Sequence, residues 1–419
     1  MLKENFKRPG ESTMAQGFGA PPSFKTSGSR SEPELTLVET ETVQQQWLEQ
    51  FADLRDPRGQ QGVEHPLLSI VMIAILGVIG GATGWEDIQT YGESHATWLS
   101  TFLSLPAGIP SADTYRRVFE RLDPQALERC FLGWVEQIVE ATGAQVIPID
   151  GKTVKGSYDR NRGRKALHVV SAWASEHRLL LGQVKVESKT NEITAIPSLL
   201  ELLDIRGSII TLDAIGTQVT IARQIQAQGG DYLLALKANH PTLYGQVTTW
   251  FEQAHATQFA GIEHGYDQRV EAGHHRRERR QVWVVPVSEM GDLQQIDQWA
   301  GLQTIVMVKR VRQLWNKTTV ETMFYLSSLP CDVGRIAHAI RAHWGIENQL
   351  HWVLDVTFGE DACRIRNGHG PDNFALLRRL AISVLNQETS KKRSLRQKAK
   401  RAAMSPDYML TVLTAALPQ

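Results

Sequence analysis

The chain has 419 residues, 42% of them hydrophobic and 21% charged, which excludes a disordered or fibrous protein and allows two or three domains with cores of their own. Its 45 basic residues are balanced by 45 acidic ones, so nucleic-acid binding would have to come from local basic patches rather than from the field of the whole molecule. Cys130, Cys331 and Cys363 form no CxxC pair, which points to a reducing compartment rather than to a secreted disulfide scaffold.

Residues 1–41 are rich in Gly, Pro, Ser and Glu and bury too little to offset their ordering entropy, so a disordered leader is expected. It holds no apolar segment of signal-peptide type, and the protein is expected to stay in the cytoplasm. Helical patterns follow over 42–143, and an all-helical, DNA-binding N-terminal domain is expected there. Its apolar run Leu67–Ala82 is shorter than the roughly 20 residues a membrane span needs and ends on Gly80 and Gly81, so it reads as a buried core helix. In IPSADTYRRVFERLDP, Ser111 is placed as an N-cap, and Arg116, Arg117 and Arg121 line one side as either a phosphate-contacting or a solvated face.

From residue 144 the texture becomes α/β. VIPID, ALHVVSAWAS and LLLGQVKVES predict three strands, EITAIPSLLELLD a helix, SIITLDAIG a strand, TQVTIARQIQAQG a helix and DYLLALK a strand. These make the first part of a core, 144–250. A β-rich insertion is expected over 251–322 and the second part of the core over 323–390, with a long helix from Asp332 to Phe358 stopped by Gly359. Residues 391–419 read as a basic C-terminal tail, in which Lys391 to Arg401 carry seven positive charges and no acid, a nonspecific DNA contact or a solvated helix face.

The chemistry is expected from acids. Asp150 closes the apolar strand VIPID, and Asp213 arrives where SIITLDAIG leaves the sheet; binding sites of α/β sheets gather at such strand ends, although a turn aspartate is the common alternative. At about 100° per residue, Glu347 falls in the same angular sector as Ile336, Ile340, Leu354 and Phe358. A carboxylate on an apolar stripe needs a partner, either a metal or a nearby arginine such as Arg341. Three carboxylates are hard oxygen ligands that suit Mg²⁺ or Mn²⁺, with two ions expected. Asp355, Glu360 and Asp361 are alternative third acids, and Glu347 is preferred to them because it interrupts the stripe.

Other signals fail. The GKT of Gly151–Thr153 lacks the earlier glycine of a phosphate-binding loop, with Val146 in its place. His343, Glu347 and His351 imitate zinc spacing without the HExxH order.

IPIDGKTVKGSYD, SKTNEITAIPSLL, TLDAIGTQ, YLLALKANHPTLY and IRAHWGIENQLHWVLDVTFGEDACRIRNGHGPDN resemble the ISAs-type transposases of bacterial insertion sequences, from about Trp47 to Gln387. The opening helices, with DLRDPRGQQGVEHPLLSIVMIAILG, are similar to that family's N-terminal associated domain. The resemblance implies a ribonuclease-H-like core with a β-strand insertion, and a catalytic, metal-holding triad of Asp150 in IDGK, Asp213 in LDAIGTQ and Glu347 in HWGIEN. It further implies terminal inverted repeats and target DNA as partners, a dimer assembled on DNA, and a nucleoid location in a bacterial cell. Related transposases set a tyrosine, an arginine and a lysine around the glutamate; here Arg341 and His343 precede it, and Asn348, His351 and Trp352 follow.

The candidate DNA contacts are Lys152 and Lys155 beyond Asp150, Lys237 in KANHP, Arg276 and Arg277 in the basic cluster His274–Arg280, and Arg341 and His343 before Glu347. Solvated lysines, and a strand edge guarded by charge, are the plain alternatives for these groups. Trp344 and Trp352 are expected to pack the core. Two other functions remain open on the same fold: a DNA-binding relative that no longer cuts, and a nuclease of repair or defence.

Overall fold

The computed structural model describes residues 37–59, 63–139, 145–158, 163, 165–186, 192–273, 276–291 and 293–417. Most of the expected leader, together with His274 and His275 of the basic cluster, lies outside the described residues.

Helix is already established at Leu37, inside the segment expected to be leader. The helices α1 (Leu37–Gln50), α2 (Leu67–Ile79), α3 (Trp85–Ser94), α4 (Ala96–Leu99), α5 (Ala112–Phe119) and α6 (Pro124–Val139) follow in turn. The helix α2 has no charged residue and is buried almost all round, as a helix that is hydrophobic on every face must be. At α5, Ser111 accepts the amide of Thr114, and the arginine face is tied down locally, with Arg116 and Arg117 on Asp113 and Arg116 also on Glu120.

The strands β1 (Val146–Val154), β2 (Leu167–Ala174), β3 (Leu179–Val186), β4 (Ile209–Leu212), β5 (Asp231–Leu236), β6 (Gly265–Gly273), β7 (Arg276–Pro286), β8 (Thr304–Leu314) and β9 (Thr318–Ser327) form one sheet in the order 3-2-1-4-5-9-8-7-6. The first three are antiparallel neighbours, and β4 and β5 add parallel to β1 through the crossover helices α7 (Glu192–Glu201) and α8 (Val219–Ala227). The strands expected as a β-rich insertion extend this same sheet. Without β9 the outer edge of β5 would leave a row of unpaired backbone groups, and β9 pairs there antiparallel before β8, β7 and β6 continue outward.

On one face α7, α8 and α9 (Pro241–Ala256) bury Ile147, Ile149, Ile210, Leu212 and Leu234. On the other, α10 (Val333–Ile346) lays Ile336 and Ile340 over Val146, Ile209 and Leu233. The long helix continues as a π turn, Glu347–His351, and α11 (Trp352–Val356), and it stops at Gly359, whose φ of 60° is left-handed.

The C-terminal segment is no tail. After α12 (Gly370–Gln387), a Ser394 capping box starts α13 (Leu395–Met404), and α14 (Pro406–Ala415) docks on the N-terminal helices. The indoles of Trp47 and Trp134 donate to the carbonyls of Leu413 and Ala416 at 3.2 and 2.6 Å. Lys398, expected at the surface, is buried and donates to the carbonyl of Leu385 at 2.9 Å. Helices from both ends of the chain therefore share one core.

Candidate active site

Side chains alternate along β1, so Val146, Asp150, Lys152 and Val154 share the face that meets α10, α11 and α12. The parallel neighbour β4 pairs with β1 only as far as Leu212 opposite Ile149, while β1 runs on to Val154 beside β2. Asp150 is thus not the strand's last residue, as its place in VIPID suggested; it stands in mid-strand where the neighbouring strand stops and the sheet opens. Asp213 is the first residue past β4. Its Oδ1 accepts the amides of Ile215 and Gly216 at 2.9 and 3.2 Å, which aims the carboxylate, and Oδ1 of Asp150 accepts the amide of Gly151 at 2.8 Å.

Glu347 comes from above, and its side chain is 67% exposed. The expectation of an acid pressed into an apolar core does not hold. Beyond Ile346 the helix overhangs the point where β4 has ended, so the sector that faces the sheet earlier in the helix now faces an open cleft. The π turn hands burial to Ile346, Leu350, Leu354 and Phe358 instead. One turn on, His351 is only 6% exposed. Its Nδ1 lies 3.4 Å from Oδ2 of Asp150 and 3.7 Å from Oε2 of Glu347, and donor atoms of the three residues all fall within 4.8 Å of one another.

Burial pushes the carboxyl of Asp150 up to about 7; Glu347 and Asp213 add to the rise, and His351 opposes it. Glu347 is held below the usual carboxylate value, chiefly by its hydrogen bond with His351. His343, with Nδ1 2.8 Å from Oγ1 of Thr211 on β4, is pushed down to about 4 by burial and is uncharged at neutral pH. A buried carboxyl that resists ionisation beside two others is relieved by a divalent cation, and this donor set fits one.

The other expected contacts divide. Lys152 is buried with Nζ 2.7 Å from Oδ1 of Asp355 and 3.7 Å from Oδ1 of Asp361, while Lys155 reaches Oδ2 of Asp361 at 2.7 Å. Those two acids, weighed as alternatives to Glu347, are thereby neutralised by lysines. Lys237 is exposed after β5, and its neighbours Asn239 and His240 hold the Asp213 loop through the carbonyls of Ala214 and Thr217 at 2.6 and 2.8 Å. Arg276 and Arg277 are exposed at the start of β7, and Arg341 pairs with Glu271 of β6 at 2.9 Å. Arg276 and Arg341 line, with Arg280, Arg312 and Trp344, a groove of 580 Å³ that reaches Asn348 and Gln349 beside Glu347. Trp344 packs against the guanidinium groups of Arg280 and Arg310, 5.1 and 4.2 Å from its ring centre. Trp352, expected in the core, is 57% exposed, because just past the π turn it lies on the helix's outer side.

Two features were hidden in the sequence. His351 was visible only as part of an imitation zinc spacing. Gly151 stood out only in the rejected GKT motif, but a Cβ there would stand 2.5 Å from Oε1 of Glu192 and 2.7 Å from Nε2 of His168, a buried pair 2.6 Å apart.

Residues 48–135 match the family profile described as DDE_Tnp_1-associated, and residues 141–384 match the profile described as Transposase DDE domain. The chain is 39% identical over 374 residues to "H repeat-associated putative transposase YhhI" of Escherichia coli K12, covering 87% of this chain and 97% of the relative. It is 36% identical over 375 residues to "Putative transposase YncI" of Escherichia coli O157:H7, covering 88% and 95%. A shorter relative, "Inactive transposase YbfQ" of Escherichia coli K12, is 39% identical over 71 residues, 17% of this chain and 84% of that one. With helical and α/β parts each matched in order, and with relatives aligned over nearly their whole length, the chain belongs to the transposase DDE-domain family.

Proposed function

We propose that this transposase binds the terminal inverted repeats of an insertion sequence, hydrolyses a strand at each end, and joins the freed 3′-hydroxyl to target DNA. The observation that carries this reading is the approach of Asp150 and Glu347, from a strand and a helix 197 positions apart in the sequence, at the open end of the sheet beside Asp213. The strand order 3-2-1-4-5 with alternating crossover helices supports a ribonuclease-H-like core, in which β6 to β9 are the insertion before the last catalytic helix. The helical region 42–143 is the proposed end-binding part.

Asp150, Asp213 and Glu347 would hold Mg²⁺ or Mn²⁺ as a two-ion site, whose chemistry is to activate the attacking oxygen and stabilise the leaving one. In the first step water oxygen bonds to phosphorus and the P–O3′ bond breaks, leaving a 3′-hydroxyl and a 5′-phosphate. In the second that hydroxyl bonds to a target phosphorus and displaces the target's own 3′ oxygen, with its proton passing to solvent. The loop amides orient Asp213. Lys237, Arg276, Arg277 and Arg341 contact phosphates, while Lys152 and Lys155, on Asp355 and Asp361, and His343, on Thr211, hold together the elements that carry the acids. Two DNA ends require two such sites, so the working form is a dimer on DNA.

The test is incubation of the purified chain with DNA carrying the element's ends and Mg²⁺ or Mn²⁺. End-specific nicking that disappears in Asp150→Ala is expected. A chain that binds the ends but nicks no better than Asp150→Ala is an inactive DNA-binding relative; equal nicking of unrelated DNA makes it a general nuclease.

A further inference from the structure

We propose that His351 is a metal ligand, so that one cation position has a nitrogen donor and prefers Mn²⁺ to Mg²⁺. The inference rests on the reading of Asp150 and Glu347 as metal-holding acids and adds a fourth residue to them. Donor atoms that share one ion at about 2.1 Å sit about 3.0–3.5 Å apart. The separations of Nδ1 of His351 from Oδ2 of Asp150 and Oε2 of Glu347, 3.4 and 3.7 Å, are close to that spacing.

His351 is 6% exposed, and its Nε2 is buried without a hydrogen-bond partner among the described residues. Among the described residues no other ion pair or hydrogen bond of the side chain fixes the imidazole besides those with the two carboxylates. Both Glu347 and His351 belong to the π turn, a rare departure from regular helix that recurs at functional sites. Chemistry then sets the preference. Mg²⁺ is a hard ion that keeps oxygen ligands and waters, whereas a nitrogen donor shifts a site toward first-row transition ions.

The full-length chain loaded with Mn²⁺ is examined by pulsed electron spin echo spectroscopy, which detects nitrogen bound directly to the ion. Nitrogen-14 modulation is expected in the wild type, absent in His351→Ala and retained in His343→Ala, the other imidazole near the acids. By calorimetry His351→Ala should weaken Mn²⁺ at least about tenfold and Mg²⁺ much less. Mn²⁺ bound without nitrogen coupling overturns the proposal, as does an equal loss for both ions, which would make His351 a positioning residue only. If His351→Ala does not fold by circular dichroism, the wild-type echo decides alone. Failure of the underlying reading looks different: Mn²⁺ would then bind Asp150→Ala as well as the wild type.

Discussion

Asp150 carries the sharpest conflict in the molecule. Its carboxyl is largely buried and pushed up to about 7, far above the ordinary value of 3.8, so the metal-free fold favours the protonated form. A group whose folded value is raised contributes stability that is complete below its unfolded value, near pH 4, and lost as the pH rises through about 7. Metal-free wild type should therefore lose stability between pH 5 and pH 8 relative to Asp150→Asn, by an amount on the order of a few kcal/mol. Urea unfolding of both proteins in chelator at the two pH values measures the difference. Equal pH slopes would mean that Asp150 ionises freely in the fold. Added Mn²⁺ should raise the melting temperature of the wild type and leave that of Asp150→Asn unchanged.

At the scale of elements, the site depends on how β1 is fastened to the helix above it. The strand's alternation places Asp150 under Glu347 and His351 and, two residues on, Lys152 under Asp355 of α11. The buried ammonium links strand to helix directly behind the acids. Removing one partner of a buried pair leaves a charge uncompensated, so Lys152→Ala should cost roughly 3 kcal/mol, with part of that recovered in Lys152→Ala/Asp355→Asn. Denaturant unfolding of the single and double variants checks this. A loss below about 1 kcal/mol would mean that the pair is solvated and the helix is held by its apolar contacts alone.

At the scale of the whole molecule, α14 closes a core that begins at α1. Met409, Val412 and Leu413 are almost fully buried there, and each such side chain contributes about 1.5–3 kcal/mol. Truncation after Met404 would also remove the carbonyl acceptors of Trp47 and Trp134. The truncated chain should lose its single cooperative melt and aggregate, as followed by circular dichroism and light scattering. A melting temperature within about 2 °C of the full chain would show that α14 is an appendage.

The order of strands and helices from Val146 to Leu236, the long helix up to Phe358, the core character of α2, the Ser111 cap and the stop at Gly359 were legible in the sequence, because hydrophobic periodicity, capping and chain reversal are local properties, whereas α9 stands where no helix was expected and ends inside the span read as β-rich. The positions of Asp150 and Asp213 beside apolar strands were legible for the same reason. Tertiary structure alone decided that Asp150 lies in mid-strand, because that depends on where β4 stops pairing. It alone turned Glu347 toward a cleft, exposed Trp352, buried Lys152 and brought His351 to the acids. Helical angles say which residues share a side, but only the neighbouring elements decide whether that side meets a sheet, a cleft or solvent.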